Sequence, residues 1–173
     1  VLAIKQTLYR THTNSKMVLA LIEAARAGKE VTAVIELKAR FDEESNLLLA
    51  KKFHQAGVLV LYGIIGYKIH AKMTLVVRQE SDGLKRYVHL GTGNYHEHTA
   101  RSYVDVGYIT SDDKIGLDVQ TLFHQLTGLG KTQKLTKLIS APFTLFKTII
   151  SWINREIEHA KNNKPALIVL KVN

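Results

Sequence analysis

Cysteine is absent from this 173-residue chain. That removes disulfides, thiolate catalysis and cysteine-ligated zinc, and it is compatible with a reducing compartment. Long apolar runs are also missing. The longest nearly uncharged stretch, Ile139 to Ile153, contains Pro142 and Lys147 and is too short to span a bilayer. No signal-peptide pattern is present. Acidic residues are outnumbered, with Asp plus Glu at 15 against Lys plus Arg at 24, a formal charge of +9. Such a surplus suits an anionic partner, and nucleic acid, phospholipid and phosphate polymers all qualify. What is present, 46% hydrophobic and 23% charged residues, is enough to bury a core and too apolar for a disordered chain. The first residue is Val1, and the apolar run Ala166 to Val172 has nothing after it to pair with. Both features lead to the expectation that the sequence is a piece of a longer protein.

Apolar residues recur with helical spacing from Ser15 to Ala27, and Gly28 supplies a stop. Val31 to Leu37 is β-rich. Asp42 to Gln55 repeats the helical signal, with Asp42, Glu43 and Glu44 at the front and lysines later, in agreement with a helix dipole. Strands are expected at Val58 to Tyr62, Met73 to Arg78, Tyr87 to Leu90 and Val104 to Thr110, with a turn at Ser81-Asp82-Gly83. A helix over Ile115 to Leu126, a linker over Gly128 to Gln133, a long helix over Pro142 to Asn162 and a last strand complete the reading. This order predicts an α/β fold, a mixed sheet flanked by helices on both faces. A domain boundary is expected near Gly130, dividing residues 1–130 from residues 131–173.

The densest chemistry lies at Lys68 to Lys72, KIHAK, which opens an apolar run, and at the turn Gly91 to Asn94, GTGN. A histidine between lysines at a strand entrance suits an imidazole that attacks phosphorus. The ammonium groups hold phosphoryl oxygens while a glycine turn lets backbone N–H groups approach them. His70 is therefore the candidate nucleophile, Lys72 its companion on the same strand face, and Asn94 a ligand for an anion. Arg10 follows the extended stretch IKQTLY and Arg40 follows the strand Val31 to Leu37. A guanidinium fork takes two phosphate oxygens at once, so both are candidate phosphate grips. Arg101 could meet phosphate, and Tyr103 could stack on a base. His96 and His98 stand close together but lack a third ligand at helical spacing, which argues against zinc. The acidic cluster Asp42 to Glu44 reads better as a helix first turn than as a magnesium site.

Together, IKQTLYR (Ile4 to Arg10), ELKARFDEE (Glu36 to Glu44), KIHAK, HLGTGNY (His89 to Tyr95) and TARSY (Thr99 to Tyr103) closely resemble the catalytic region of the type-one bacterial polyphosphate kinases. The later WINREIEHA (Trp152 to Ala160) and ALIVLKVN (Ala166 to Asn173) look like the start of that family's second catalytic domain. The resemblance implies a phospholipase D-like fold and reversible transfer of the terminal phosphoryl group of ATP to inorganic polyphosphate through a phosphohistidine. His70 matches the phosphoryl carrier. Residues matching Arg10 and Arg40 belong to the family's magnesium and phosphate site, and one matching Tyr103 to its ATP site. Because a guanidinium cannot ligate a cation, both arginines read as gripping phosphates that Mg2+ also bridges.

The resemblance further implies ATP or ADP and polyphosphate as partners, no nucleic acid, and a homo-oligomeric full-length protein. A cytoplasmic location is the corresponding expectation, and peripheral association with the inner face of the membrane is compatible with it. Phospholipase D-type enzymes are similar in architecture, but their HxK-x4-D motif is incomplete here, since Val77, separated from Lys72 by four residues, stands where the motif has Asp. A phosphodiesterase is therefore the alternative reading, and a basic polyanion-binding module without chemistry is another. The family's other domains are missing, so the isolated chain is expected to be weakly active or inactive.

Overall fold

The computed structural model describes residues 1–9, 11–36, 43–64, 66–128 and 134–170. It divides into two compact units, Val1–Thr136 and Lys137–Asn173. The expected boundary near Gly130 falls outside the described residues, as does most of the expected linker.

The first unit is built on six strands, β1 (Ala3–Leu8), β2 (Glu30–Ile35), β3 (Leu59–Leu61), β4 (Lys72–Glu80), β5 (Gly83–Gly91) and β6 (Gly107–Thr110). Their order across the sheet is β3-β2-β1-β4-β5-β6. The β1–β2 and β2–β3 pairs are parallel, whereas β1–β4, β4–β5 and β5–β6 are antiparallel. The sheet is thus mixed, with the seam between its two halves at β1 and β4. Central β2 is buried at every position except Glu30, as a parallel strand covered on both faces should be.

Helix α1 (Lys16–Arg26) starts where the Ser15 hydroxyl accepts the Val18 N–H at 3.2 Å, the expected N-cap bond. It buries Val18, Leu21 and Ile22, one stripe at helical spacing. Helix α2 (Glu43–Gln55) buries Leu49, Ala50 and Phe53 in the same way. These six join Val31, Ala33, Ile35 and Leu8 in one core cluster, which lies on the face presented by alternate β2 residues. Helix α4 (Asp113–Leu126), capped by the Asp112 carboxylate, packs against β4 and β5. Its Val119 and Phe123 are buried, as are Leu75 and Val88, which register as direct neighbours on the opposite face of the sheet. Helices therefore cover both faces.

The expected elements appear, with differences that have local causes. Residues 104–106 precede β6 without joining it, because the Thr92 hydroxyl accepts the Val106 N–H at 3.0 Å in place of a strand partner. The short helix α3 (Glu97–Ser102) was not expected. Its cap is an imidazole, with His96 Nδ1 accepting the Thr99 N–H.

Among its described residues the second unit holds one helix, α5 (Leu145–Lys161). It begins later than Pro142 because a turn ties the Ser140 carbonyl to the N–H groups of Thr144 and Leu145. No described residue of this unit is buried. A groove of about 280 Å³ is lined by Ile139, Ile149, Trp152, Ile153, Leu167 and Val169, among others. The expected last strand is corrected here, since residues 165–170 carry no strand pairing among the described residues. Leu167 donates its N–H to Glu156 Oε2 at 3.3 Å instead. No helix among the described residues is long and apolar enough to cross a membrane.

Candidate active site

The register gathers one end of the sheet. Parallel β1 and β2 finish there, antiparallel β4 begins there, and Lys72 pairs with Gly91 where β5 ends. Gly107, which opens β6, pairs with Gly91 as well. The ends of β1 and β5 and the start of β4, remote in sequence, thus meet at the seam.

His70 sits just before β4 on backbone fixed from both sides. The preceding Ile69 donates its N–H to Glu36 Oε2 at 3.0 Å, and Glu36 directly follows β2 with only 7% of its surface exposed. The following Ala71 has its carbonyl taken by the Thr7 hydroxyl of β1 at 2.7 Å, and that hydroxyl also accepts the Met73 N–H at 3.0 Å. Asn46 of α2, itself buried, donates to the carbonyls of Glu36 at 2.8 Å and Tyr9 at 3.4 Å, tying the ends of β1 and β2 together. Beneath the loop, a side chain at Gly63 (φ +79°) would collide with Ile69. The imidazole is nonetheless exposed. It stands edge-on to the Tyr9 ring, with centroids 5.1 Å apart and planes at 81°.

Lys72 is almost wholly buried, at 6% exposure. Its Nζ donates to the His70 carbonyl at 2.7 Å and lies 5.5 Å from the Tyr9 ring centroid, within cation–π range. Partial burial, then the charges of Lys72 and Lys68, hold the His70 pKa below the ordinary imidazole value of 6.5. The ring is accordingly neutral near pH 7, with a lone pair for attack. Burial also lowers the Lys72 pKa, against an opposing pull from Asp105.

The glycine turn works differently from its sequence reading. A methyl group at Gly93 would run into the Asp105 carboxylate, while side chains at Gly91 and Gly107 would press on the His89 ring. These glycines therefore make room for protein groups. Asp105 accepts from the Thr92 hydroxyl at 3.1 Å, and the Thr92 amide is spent on the Val106 carbonyl. Asn94 Oδ1 is buried without a hydrogen-bond partner, a costly state for a polar atom. Behind the turn, His89 Nδ1 lies 2.8 Å from the Tyr95 hydroxyl, which is 3.1 Å from Thr74 Oγ1.

The structure thus brings His70, Lys72 and the turn bearing Asn94 to one end of the sheet. His70 is not itself in the strand, so Lys72 reaches its backbone rather than lining up beside its ring. Tyr103 caps the C-terminal end of α3, with 66% of its surface exposed. Arg10 and Arg40 lie outside the described residues. Tyr9, Glu36, Thr92 and Asp105 were missed, because their roles depend on tertiary contacts with no local motif. Among the described residues, no group of three or more His, Asp or Glu side chains is arranged to hold a metal ion. Magnesium favours several oxygen ligands, so these residues alone do not fit a magnesium site.

The fold is the phospholipase D-like one, and two solved structures share it. NucT from Helicobacter pylori matches with a TM-score of 0.55 at 14% identity, over 74% of this chain and 80% of that one, a likeness of fold alone. The crystal structure of polyphosphate kinase from Porphyromonas gingivalis matches more closely, with a TM-score of 0.81 and 37% identity over 93% of this chain and 27% of that one. Residues 1–132 match the family model described as polyphosphate kinase C-terminal domain 1. The whole chain is 58% identical to polyphosphate kinases from Neisseria meningitidis serogroup C and Pseudomonas aeruginosa. The chain belongs to the polyphosphate kinase family. It spans about a quarter of the length of these relatives.

Proposed function

We propose that this chain carries the phosphoryl-accepting site of an ATP:polyphosphate phosphotransferase, with His70 as the covalent carrier. One neutral nitrogen of His70 attacks the terminal phosphorus of ATP, the bond to the bridging oxygen breaks, and ADP leaves with that electron pair. The terminal oxygen of a polyphosphate chain then attacks the same phosphorus, the P–N bond breaks, and the imidazole is restored. Each step is reversible. Lys72 and Lys68 supply positive charge beside the transferred group, and Asn94 lies at the adjoining turn. The exposed Tyr103 ring is available for stacking on adenine, as the family resemblance suggests. Arg10 and Arg40 carry the family's phosphate-gripping role. Magnesium enters this reading with the nucleotide, and no step is derived through it.

The observation that carries the proposal is the pinning of Ile69 and Ala71 on either side of an exposed His70, whose pKa burial and the flanking lysines lower. Fixed backbone with a free ring is what a nucleophile needs for a constant attack geometry. Full-length protein given radiolabelled ATP is expected to take up an acid-labile, base-stable label that His70→Ala removes. Equal labelling of His70→Ala, or a base-labile label, overturns the assignment. The isolated chain is expected to turn over slowly or not at all.

A further inference from the structure

Three imidazoles from distant segments meet beside the proposed catalytic end of the sheet. His12 lies on the loop that follows β1, His96 caps α3, and His98 stands in its first turn. Ring centroids are 4.9 Å apart for His12 and His96, 5.8 Å for His12 and His98, and 6.1 Å for His96 and His98. The backbone beneath them is held. Ser15 donates its N–H to the His12 carbonyl at 3.0 Å, and Lys52 of α2 donates to the Thr13 carbonyl and Asn14 Oδ1 at 2.9 and 2.8 Å. Glu97 turns to accept the Lys16 N–H at 3.3 Å, joining the start of α3 to the start of α1.

The cap bond decides what such a cluster can hold. His96 Nδ1 accepts the Thr99 N–H, so in the neutral ring the proton sits on Nε2 and that nitrogen is a donor. A metal ligand needs a lone pair there. An anion needs the proton. A spacing of about 5–6 Å between rings is on the scale of one phosphoryl group whose oxygens take hydrogen bonds of about 2.9 Å. Lys52 and Glu97 are the charged side chains whose hydrogen bonds hold the backbone beneath the cluster.

We propose that His12, His96 and His98 form a phosphate subsite for a stretch of polyphosphate chain away from the phosphoryl group being transferred. The choice of polymer rests on the function proposed above.

Calorimetric titration of the 173-residue chain with tripolyphosphate tests it. The His12→Leu/His98→Leu double variant leaves the helix cap intact and is expected to bind tripolyphosphate roughly tenfold more weakly. His96→Asn keeps a capping side chain and is expected to weaken binding by less. The same tenfold loss is expected when the double change is made in a His70→Gln background, which separates this subsite from the nucleophile assignment. Ring nitrogen NMR signals of His12 and His98 should move when tripolyphosphate is added. Undiminished affinity in the double variant overturns the proposal. So do ring signals that answer zinc but not tripolyphosphate, and so does orthophosphate or ADP binding as tightly as tripolyphosphate.

Discussion

The two halves of the sheet are built to different standards. The parallel half, β1 to β3 with α1 and α2, surrounds a core in which Val18, Ala33, Ile35, Leu49 and Phe53 are sealed from solvent. The antiparallel half thins outward, until Gly107, Tyr108 and Ile109 of β6 are all exposed and Ile109 shows 77% of its surface. The candidate site lies on the seam. His70 takes its rigidity from the dry half through Thr7 and Glu36, and its glycine turn from the wet half. A rigid support under one side of a site and an open turn on the other keep one side chain in place beside adaptable surroundings.

The contrast can be broken most severely at Phe53. Phe53→Ala removes a fully buried ring from the parallel core and is expected to cost about 3–5 kcal/mol, read as a lower midpoint in urea unfolding. A cost under about 1 kcal/mol would mean that the parallel half is not the stabilising one. Gly93→Ala comes next, at about 1–3 kcal/mol for overpacking. The Asp105 signal is expected to shift in NMR spectra as its bond to Thr92 is displaced, and an unchanged Asp105 would remove the packing role given to Gly93.

Lys68→Gln acts through charge. The His70 pKa is depressed in the folded chain, so the unfolded chain binds more protons as pH falls below 6.5, and this group's contribution to stability is lost in that direction. Removing Lys68 should move the His70 titration upward toward 6.5 and narrow that window, as followed by NMR. The smallest effect is expected at β6, where Ile109→Thr should change stability by no more than about 0.5 kcal/mol. A larger loss would show that the wet half bears more weight than its exposure suggests.

Strands and long helices were legible because their apolar residues repeat with the period of the structure they form, as Val18, Leu21 and Ile22 do in α1. Helix α3 was not, since its six residues bury nothing and its cap is a histidine. The exposed histidine before β4 drew notice in the sequence through its lysine neighbours, which act along the chain. Its supports were not legible, because Glu36 and Thr7 act across it. Spacing also concealed the third imidazole beside His96 and His98, since His12 arrives through the fold.

The Lys72 ammonium donates to the carbonyl of the residue it accompanies. Its ammonium is therefore a mechanical tether as well as a source of charge. A longer or forked cation would have to push the loop outward, and an acetyl group on the amine would release it. Position 72 thus couples the posture of the His70 backbone to the chemical state of one amine.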